Sequence, residues 1–152
     1  MASLNVGDQA PDFSLLDQDG KHVALKNFAG KKLLVYFYPK ADTPGCTKQS
    51  CSVRDASGEL TLQGIAAVGI SPDMPDKQKR FDDKYSLGFP LLSDSDHQVA
   101  EAYGAWGLKK NYGKEYEGII RSSFLIDENG KIAQVAYKVK PLDSVPKALG
   151  AL

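Results

Sequence analysis

Leu33-Leu34-Val35-Tyr36-Phe37-Tyr38-Pro39-Lys40-Ala41-Asp42-Thr43-Pro44-Gly45-Cys46 is the stretch that decides how the chain folds. Its first six residues are apolar or aromatic without alternation, as expected of a strand covered on both faces. Pro39, Pro44 and Gly45 then turn the run into a loop. Thr47 to Leu62 reads as a helix, with Val53, Ala56 and Leu60 on one core-facing stripe. Cys46 therefore stands where a strand has ended and a helix begins. The first N–H groups of a helix have no partner inside it, and the helix dipole is positive there. That setting stabilises a thiolate, the nucleophilic form of cysteine. The plainer reading is a small cysteine packed in a turn. The Thr43-Pro44-Gly45 lead-in and a second cysteine, Cys51, favour the reactive one.

Outward from this stretch the chain alternates strands and helices. Upstream, Phe13 to Leu16 and His22 to Leu25 form a hairpin around Asp19-Gly20. Downstream, Ile65 to Ile70 is a second buried strand, Asp76 to Tyr85 a charged helix, Pro90 to Leu92 a short strand and His97 to Tyr103 a helix that Ser93 to Asp96 can cap. Residues 104–118 carry four glycines, Trp106 and two tyrosines, and read as a long loop. Ile119 to Asp127 is a strand, Glu128-Asn129-Gly130 a turn and Lys131 to Val139 its return, with Ala133, Val135, Tyr137 and Val139 on one face. Leu142 to Leu152 forms a final helix weakened by Pro146 and Gly150. The order predicts an α/β fold: a mixed central sheet flanked by helices, with an N-terminal β-hairpin.

The 152 residues fit one domain, 1–152. Lys+Arg and Asp+Glu are equal at 19 each, which argues against nucleic acid or an anionic membrane as a general partner. No apolar run approaches membrane-spanning length, and Met1 to Asp8 shows no signal-peptide pattern. A cytoplasmic location follows as the expectation. Two cysteines in such a chain suit redox or catalytic work better than a structural staple.

The spacing Cys46-x4-Cys51 is neither a Cys-x2-Cys dithiol nor half a zinc site. With only His22 and His97 to complete a metal set, nothing in the spacing favours one, and no phosphate or dinucleotide loop is present. Asp94 and Asp96 suit helix capping better than calcium. Two residues stay open. The Thr43 hydroxyl can turn toward the thiol or cap the helix. Arg121 can be a solvated strand end or a permanent cation beside the thiolate.

The segment Pro39-x3-Thr43-x2-Cys46 resembles the active-site signature of the peroxiredoxins. Cys46-Thr47-Lys48-Gln49-Ser50-Cys51-Ser52-Val53-Arg54-Asp55 is similar to the bacterioferritin-comigratory-protein branch, the Q type. Ala10-Pro11-Asp12-Phe13, Gly69-Ile70-Ser71-Pro72-Asp73, Phe89 to Asp94, Tyr103-Gly104 and Arg121 to Asp127 fall in register with it. The resemblance implies a thioredoxin-like fold and the reduction of hydrogen peroxide and alkyl hydroperoxides. It makes Cys46 the peroxidatic and Cys51 the resolving cysteine. Thr43, Gly45 and Arg121 then hold the peroxide, and Pro39 shields it. The disulfide then needs an outside thioredoxin-like protein as reductant; the chemistry requires no cofactor, and a monomer is the expectation. Two positions depart from the pattern: Gln49 where Glu is common and Val53 where Phe is common.

Two rival readings remain. One is a thioredoxin-fold disulfide reductase without peroxidase activity, which the four-residue spacing disfavours. The other is a binding module using the aromatic segment around Trp106 and Tyr112. If Cys46 and Cys51 share one helix, their Cα atoms lie roughly 8–9 Å apart and their side chains diverge by about 140°. A disulfide needs less than about 7 Å, so an intramolecular bridge requires the helix start to unwind.

Overall fold

An apolar run with no polar position needs cover on both sides, because side chains alternate across a strand. The computed structural model, which describes residues 3–150, supplies that cover. The described strands are β1 (Ser14–Leu16), β2 (His22–Ala24), β3 (Lys32–Phe37), β4 (Ile65–Ser71), β5 (Leu91–Ser93), β6 (Trp106–Asn111), β7 (Lys114–Ile119), β8 (Ser122–Ile126) and β9 (Ile132–Ala136). The helices are α1 (Pro44–Asp55), α2 (Ser57–Leu62), α3 (Pro75–Tyr85), α4 (Gln98–Ala102) and α5 (Ser144–Gly150).

Seven strands make one sheet in the order β2-β1-β5-β4-β3-β8-β9. β3 pairs parallel with β4, and β4 with β5, through helical crossovers. β8 and β9 return antiparallel, and the β1–β2 hairpin joins through β5. The predicted mixed sheet is therefore present, with β3 near its middle.

Leu33, Val35 and Phe37 pack on one side with Phe13, Val99, Ala100 and Tyr103. Leu34, Tyr36 and Tyr38 pack on the other with Val53, Leu60, Phe81 and Val145. All six residues of the run are fully buried. Each buried Leu or Phe contributes about 1.5–3 kcal/mol relative to exposure. Gln78 of α3 is a buried polar hub: it accepts from the Tyr38 hydroxyl and donates to Ser71 Oγ at 2.9 Å and the Leu92 carbonyl at 3.0 Å. These bonds lock α3 onto β3, β4 and β5.

Several expectations are corrected. The helix expected over Thr47 to Leu62 begins earlier, at Pro44, and is interrupted at Ala56, so two helices form. Pro suits a first helical position, where its missing N–H has no partner to lose. Residues 104–118 are a two-stranded ribbon, β6–β7, rather than a loop. Tyr112 and Gly113 both have positive φ, 52° and 77°, which is the backbone a tight two-residue hairpin turn requires. Gly107 and Gly118 lie opposite each other in the ribbon, and a Cβ on Gly107 would come within 3.1 Å of Ile120. Those glycines mark close approach instead of a loop.

The strand expected over Ile119 to Asp127 breaks at residues 120 and 121, where the chain passes from the ribbon to the main sheet. The return strand is shorter than Lys131 to Val139, and its residues do not share one face. The register slips between Leu125 and Ile126, so Ala133 packs with one core while Val135 and Tyr137 pack with the other. The final helix runs Ser144–Gly150 within the expected Leu142 to Leu152, of which 151 and 152 lie outside the described residues.

The capping expectation holds. Asp94 accepts from the backbone N–H of Val99 at 3.2 Å and Ala100 at 2.9 Å. Burial raises the pKa of this carboxyl, and the two bonds oppose that rise.

Candidate active site

Cys46 is the third residue of α1, on the first turn, and is 1% exposed. Pro44 has no N–H, so the unpaired donors at this helix start are those of Gly45 and Cys46. No side chain caps them. The Thr43 hydroxyl donates instead to the Lys40 carbonyl at 2.8 Å. It thus neither caps the helix nor bonds the thiol, and its oxygen keeps free lone pairs as an acceptor. The first helical bond runs from Thr47 N–H to the Thr43 carbonyl at 2.8 Å.

Arg121 stands one residue before β8 rather than in it, and reaches across to α1. Its Nη2 lies 3.5 Å from Cys46 Sγ, and its Nη1 donates to Gln49 Oε1 at 2.7 Å. The solvated strand-end reading is overturned. Gly45 leaves room for this approach, since a Cβ there would stand 3.0 Å from Arg121 Nη2 and crowd it. Gln49 is fully buried and satisfied at both ends, its Nε2 donating to Ser144 Oγ of α5 at 3.0 Å. A neutral amide thus holds the guanidinium where a carboxylate would partly neutralise it. Val53 fills the α1 core face at 1% exposure.

The second cysteine differs. Cys51 is in the same helix, half-buried, and both thiols are free. Between them, Ser50 Oγ pairs with the Tyr36 hydroxyl at 2.8 Å. Burial drives the Tyr36 phenol far above its ordinary pKa, so it stays neutral beside both cysteines. The loop before α1 is tied down too. Ala41 N–H donates to Asp73 at 2.7 Å. Asp42, in a left-handed conformation at φ 60°, accepts from Lys84 and from the Tyr85 hydroxyl, each at 2.9 Å. The Lys84 bond, then the Tyr85 bond, lower the pKa of this exposed carboxyl.

Beside Arg121 opens a cleft of about 570 Å³ with Pro39, Ile120 and Val139 on its walls and Leu108 and Lys109 contributed by the ribbon. Sequence reasoning placed Pro39 here but missed Ser144 and Lys109. The Tyr112-Gly113 turn lacks the Asn-Gly or Asp-Gly pair that announces a tight hairpin, so nothing local marks the ribbon and hence Lys109. Nothing local marks Ser144. His97 is held elsewhere, stacked on Trp106 with ring centroids 3.8 Å apart. Among the described residues no group of three or more His, Cys, Asp or Glu is arranged to hold a metal, and no helix is long and apolar enough to cross a membrane.

Chemically, the arrangement offers a buried sulfur, an uncompensated cation beside it and two backbone donors at the same helix start. It can hold a thiolate and stabilise negative charge on an oxygen brought to it.

Comparison with known proteins gives a consistent result. A family model described as the AhpC/TSA family matches residues 6–135. Peroxiredoxin Bcp of Escherichia coli K12 is 56% identical over 135 residues, covering 89% of this chain and 86% of its own. The crystal structure of a cysteine-to-serine mutant of PrxQ from Xylella fastidiosa superposes with a TM-score of 0.91 at 26% identity, covering 99% of this chain and 96% of that one. A structure of the Xanthomonas campestris bacterioferritin comigratory protein, studied for its alkyl peroxide reduction activity, superposes at 0.85 and 31% identity, covering 91% and 89%.

Proposed function

The chain belongs to the AhpC/TSA family as a thioredoxin-fold peroxiredoxin, a thiol-dependent peroxidase, and from that premise we propose that Cys46 is its peroxidatic cysteine. The observation that carries this reading is the 3.5 Å approach of Arg121 Nη2 to Cys46 Sγ at the uncapped start of α1. The thiolate attacks the terminal oxygen of the hydroperoxide. The S–O bond forms as the O–O bond breaks, giving a sulfenic acid and an alkoxide or hydroxide that takes up a proton. Sulfur is oxidised and the peroxide reduced.

Arg121 favours the thiolate and the developing charge on the leaving oxygen. The Gly45 and Cys46 N–H groups and a Thr43 lone pair align the O–O bond with sulfur. Pro39, on the cleft wall, keeps water from the sulfur. The apolar wall residues suit alkyl hydroperoxides as well as hydrogen peroxide.

The sulfenic acid then condenses with the Cys51 thiol, releasing water and forming an intramolecular disulfide. A thioredoxin-like dithiol protein returns both thiols by exchange and leaves oxidised. The same reading takes residues 1–152 as one domain, because seven strands drawn from Ser14 to Ala136 build one sheet. It has the protein working in the cytoplasm as a monomer, since the cycle uses two cysteines of one chain. No cofactor enters these steps.

The test is hydrogen peroxide consumption with thioredoxin, thioredoxin reductase and NADPH. Wild type should turn over, Cys46→Ser should fall to background, and Cys51→Ser should reduce one equivalent and stall. Sustained turnover by Cys46→Ser would overturn the assignment.

A further inference from the structure

The cleft beside Arg121 is larger than hydrogen peroxide needs, and its charges are unbalanced. Cations on its walls are Lys109, Lys110, Arg121 and Lys138, against the single carboxylate of Glu115. Glu115 is already answered by Lys110, its cross-strand partner, at 3.6 Å. Arg121 is held by the neutral Gln49 amide.

That leaves Lys109. It is half-buried, and among the described residues no carboxylate lies within 4.0 Å of its ammonium. Its stem lies across the ribbon, since a Cβ on Gly118 would stand 3.3 Å from Lys109 Cδ. Its ammonium sits 6.0 Å from the centre of the Tyr116 ring. A side chain on Gly118 would crowd the lysine along this path.

We propose that Lys109 is a specificity-determining residue that tilts this cleft toward organic hydroperoxides carrying a negative charge, a carboxylate above all, over neutral hydroperoxides of the same size. The proposal rests on the peroxidase reading above and concerns the substrate class of the same site. The hydroperoxide end would meet Cys46 beside Arg121, the carbon chain would lie along Ile120 and Val139, and the carboxylate would reach Lys109. The thiolate takes the terminal oxygen as before, the substrate leaves as the hydroxy acid, and the carboxylate is unchanged.

Attraction of an anion by a cation that has no counterion, over low-dielectric walls, raises its encounter and residence. The titration of Lys109 agrees with the geometry. Burial chiefly, and the Arg121 charge next, lower its pKa, while a Cys46 thiolate pulls the other way. A bound carboxylate would act in the same sense as that thiolate.

The experiment measures single-turnover oxidation of the reduced protein by 6-hydroperoxyhexanoate and by its methyl ester, which share a chain and differ in charge. Wild type should prefer the acid by at least about threefold at low salt, the scale of a half-exposed ion pair. The preference should shrink at about 0.5 M salt. Lys109→Gln should bring the acid-to-ester ratio near one, and Lys109→Arg should keep it. Lys109→Met repeats the charge removal should the Gln variant fold poorly by circular dichroism.

Equal rates for acid and ester in wild type, or an unchanged ratio in the charge-removed variant, overturns the proposal. Wild-type hydrogen peroxide reduction is measured alongside. Its absence would sink the peroxidase reading itself, whereas its presence with no charge preference would sink only the role of Lys109.

Discussion

The two cysteines of α1 share one helix and live under opposite conditions. Cys46 is buried to 1% exposure, with the Arg121 guanidinium 3.5 Å away and Gln49 fixing that guanidinium from one turn further along. Cys51 is half-buried, and among the described residues no hydrogen bond reaches its sulfur. Near it the helix carries its own weakness. Ser52 Oγ donates back to the Gln49 carbonyl at 2.7 Å, a bond that competes with the helical ladder.

The contrast teaches a division of labour. A sulfur that attacks an O–O bond gains from surroundings already arranged for charge. The sulfur that resolves the product gains from being loosely held, and the α1 start that carries Cys46 can open toward it, because helix ends open locally at low cost.

The comparison breaks most visibly at Arg121. Arg121→Met keeps much of the bulk and removes the cation. We expect the second-order rate of Cys46 with hydrogen peroxide to fall about a hundredfold, the scale of one lost charge-stabilising donor. Stopped-flow oxidation of the reduced protein measures it, and an unchanged rate would return Arg121 to a packing role.

The second test asks whether the start of α1, which carries Cys46, unwinds so that the two sulfurs can meet. While α1 is intact the two Cα atoms stand roughly 8–9 Å apart, too far for a disulfide. Oxidation by one equivalent of peroxide should yield a Cys46–Cys51 bridge within a chain of monomer mass. Amide exchange across residues 44–54 should then speed up at least about tenfold, with little change elsewhere. Peptide mapping that finds only bridges between chains counts against the scheme.

A third probe loosens the tight end indirectly. Ser144→Ala leaves Gln49 Nε2 buried without its acceptor, so unfolding in urea should show a loss of about 1–3 kcal/mol. The peroxide rate should drop far less than in Arg121→Met, because the Arg121–Gln49 bond is untouched.

The smallest effect concerns the loop before α1. The Asp42 carboxyl has its pKa lowered in the folded state, by Lys84 first and the Tyr85 hydroxyl second. A lowered folded pKa means the stabilisation is present above the unfolded value, about 3.9, and is lost as pH falls through the folded one. Asp42→Asn, which tolerates the same left-handed backbone, should therefore be slightly less stable than wild type at neutral pH. That difference should vanish in acid. Thermal melts across the pH range would show it, and a pH-independent gap would assign the effect to the loop backbone instead.

Much of this was legible in the order of residues. The unbroken apolar run Leu33 to Tyr38 required a two-sided sheet, and Pro44-Gly45-Cys46 put a thiol at a helix start. The ribbon was not legible, because Gly107, Gly113 and Gly118 look alike in composition. Only Gly113 serves a turn; Gly107 and Gly118 make room for Ile120 and Lys109. The bulge at Ala133 was also hidden, since alternation cannot announce where its own register slips.

What the sequence by itself determined is local: most of the main-sheet strands and the helices, and which cysteine begins a helix. Those follow from side-chain periodicity and from backbone preferences a few residues long. Only the tertiary structure decided that Arg121 reaches Cys46 from 75 residues away, and that Ser144 meets Gln49 across 95. Such contacts depend on where the sheet lays β8 against β3 and α5 against α1. That placement comes from burying two apolar faces at once, and is set by the whole core rather than by any neighbour in the chain.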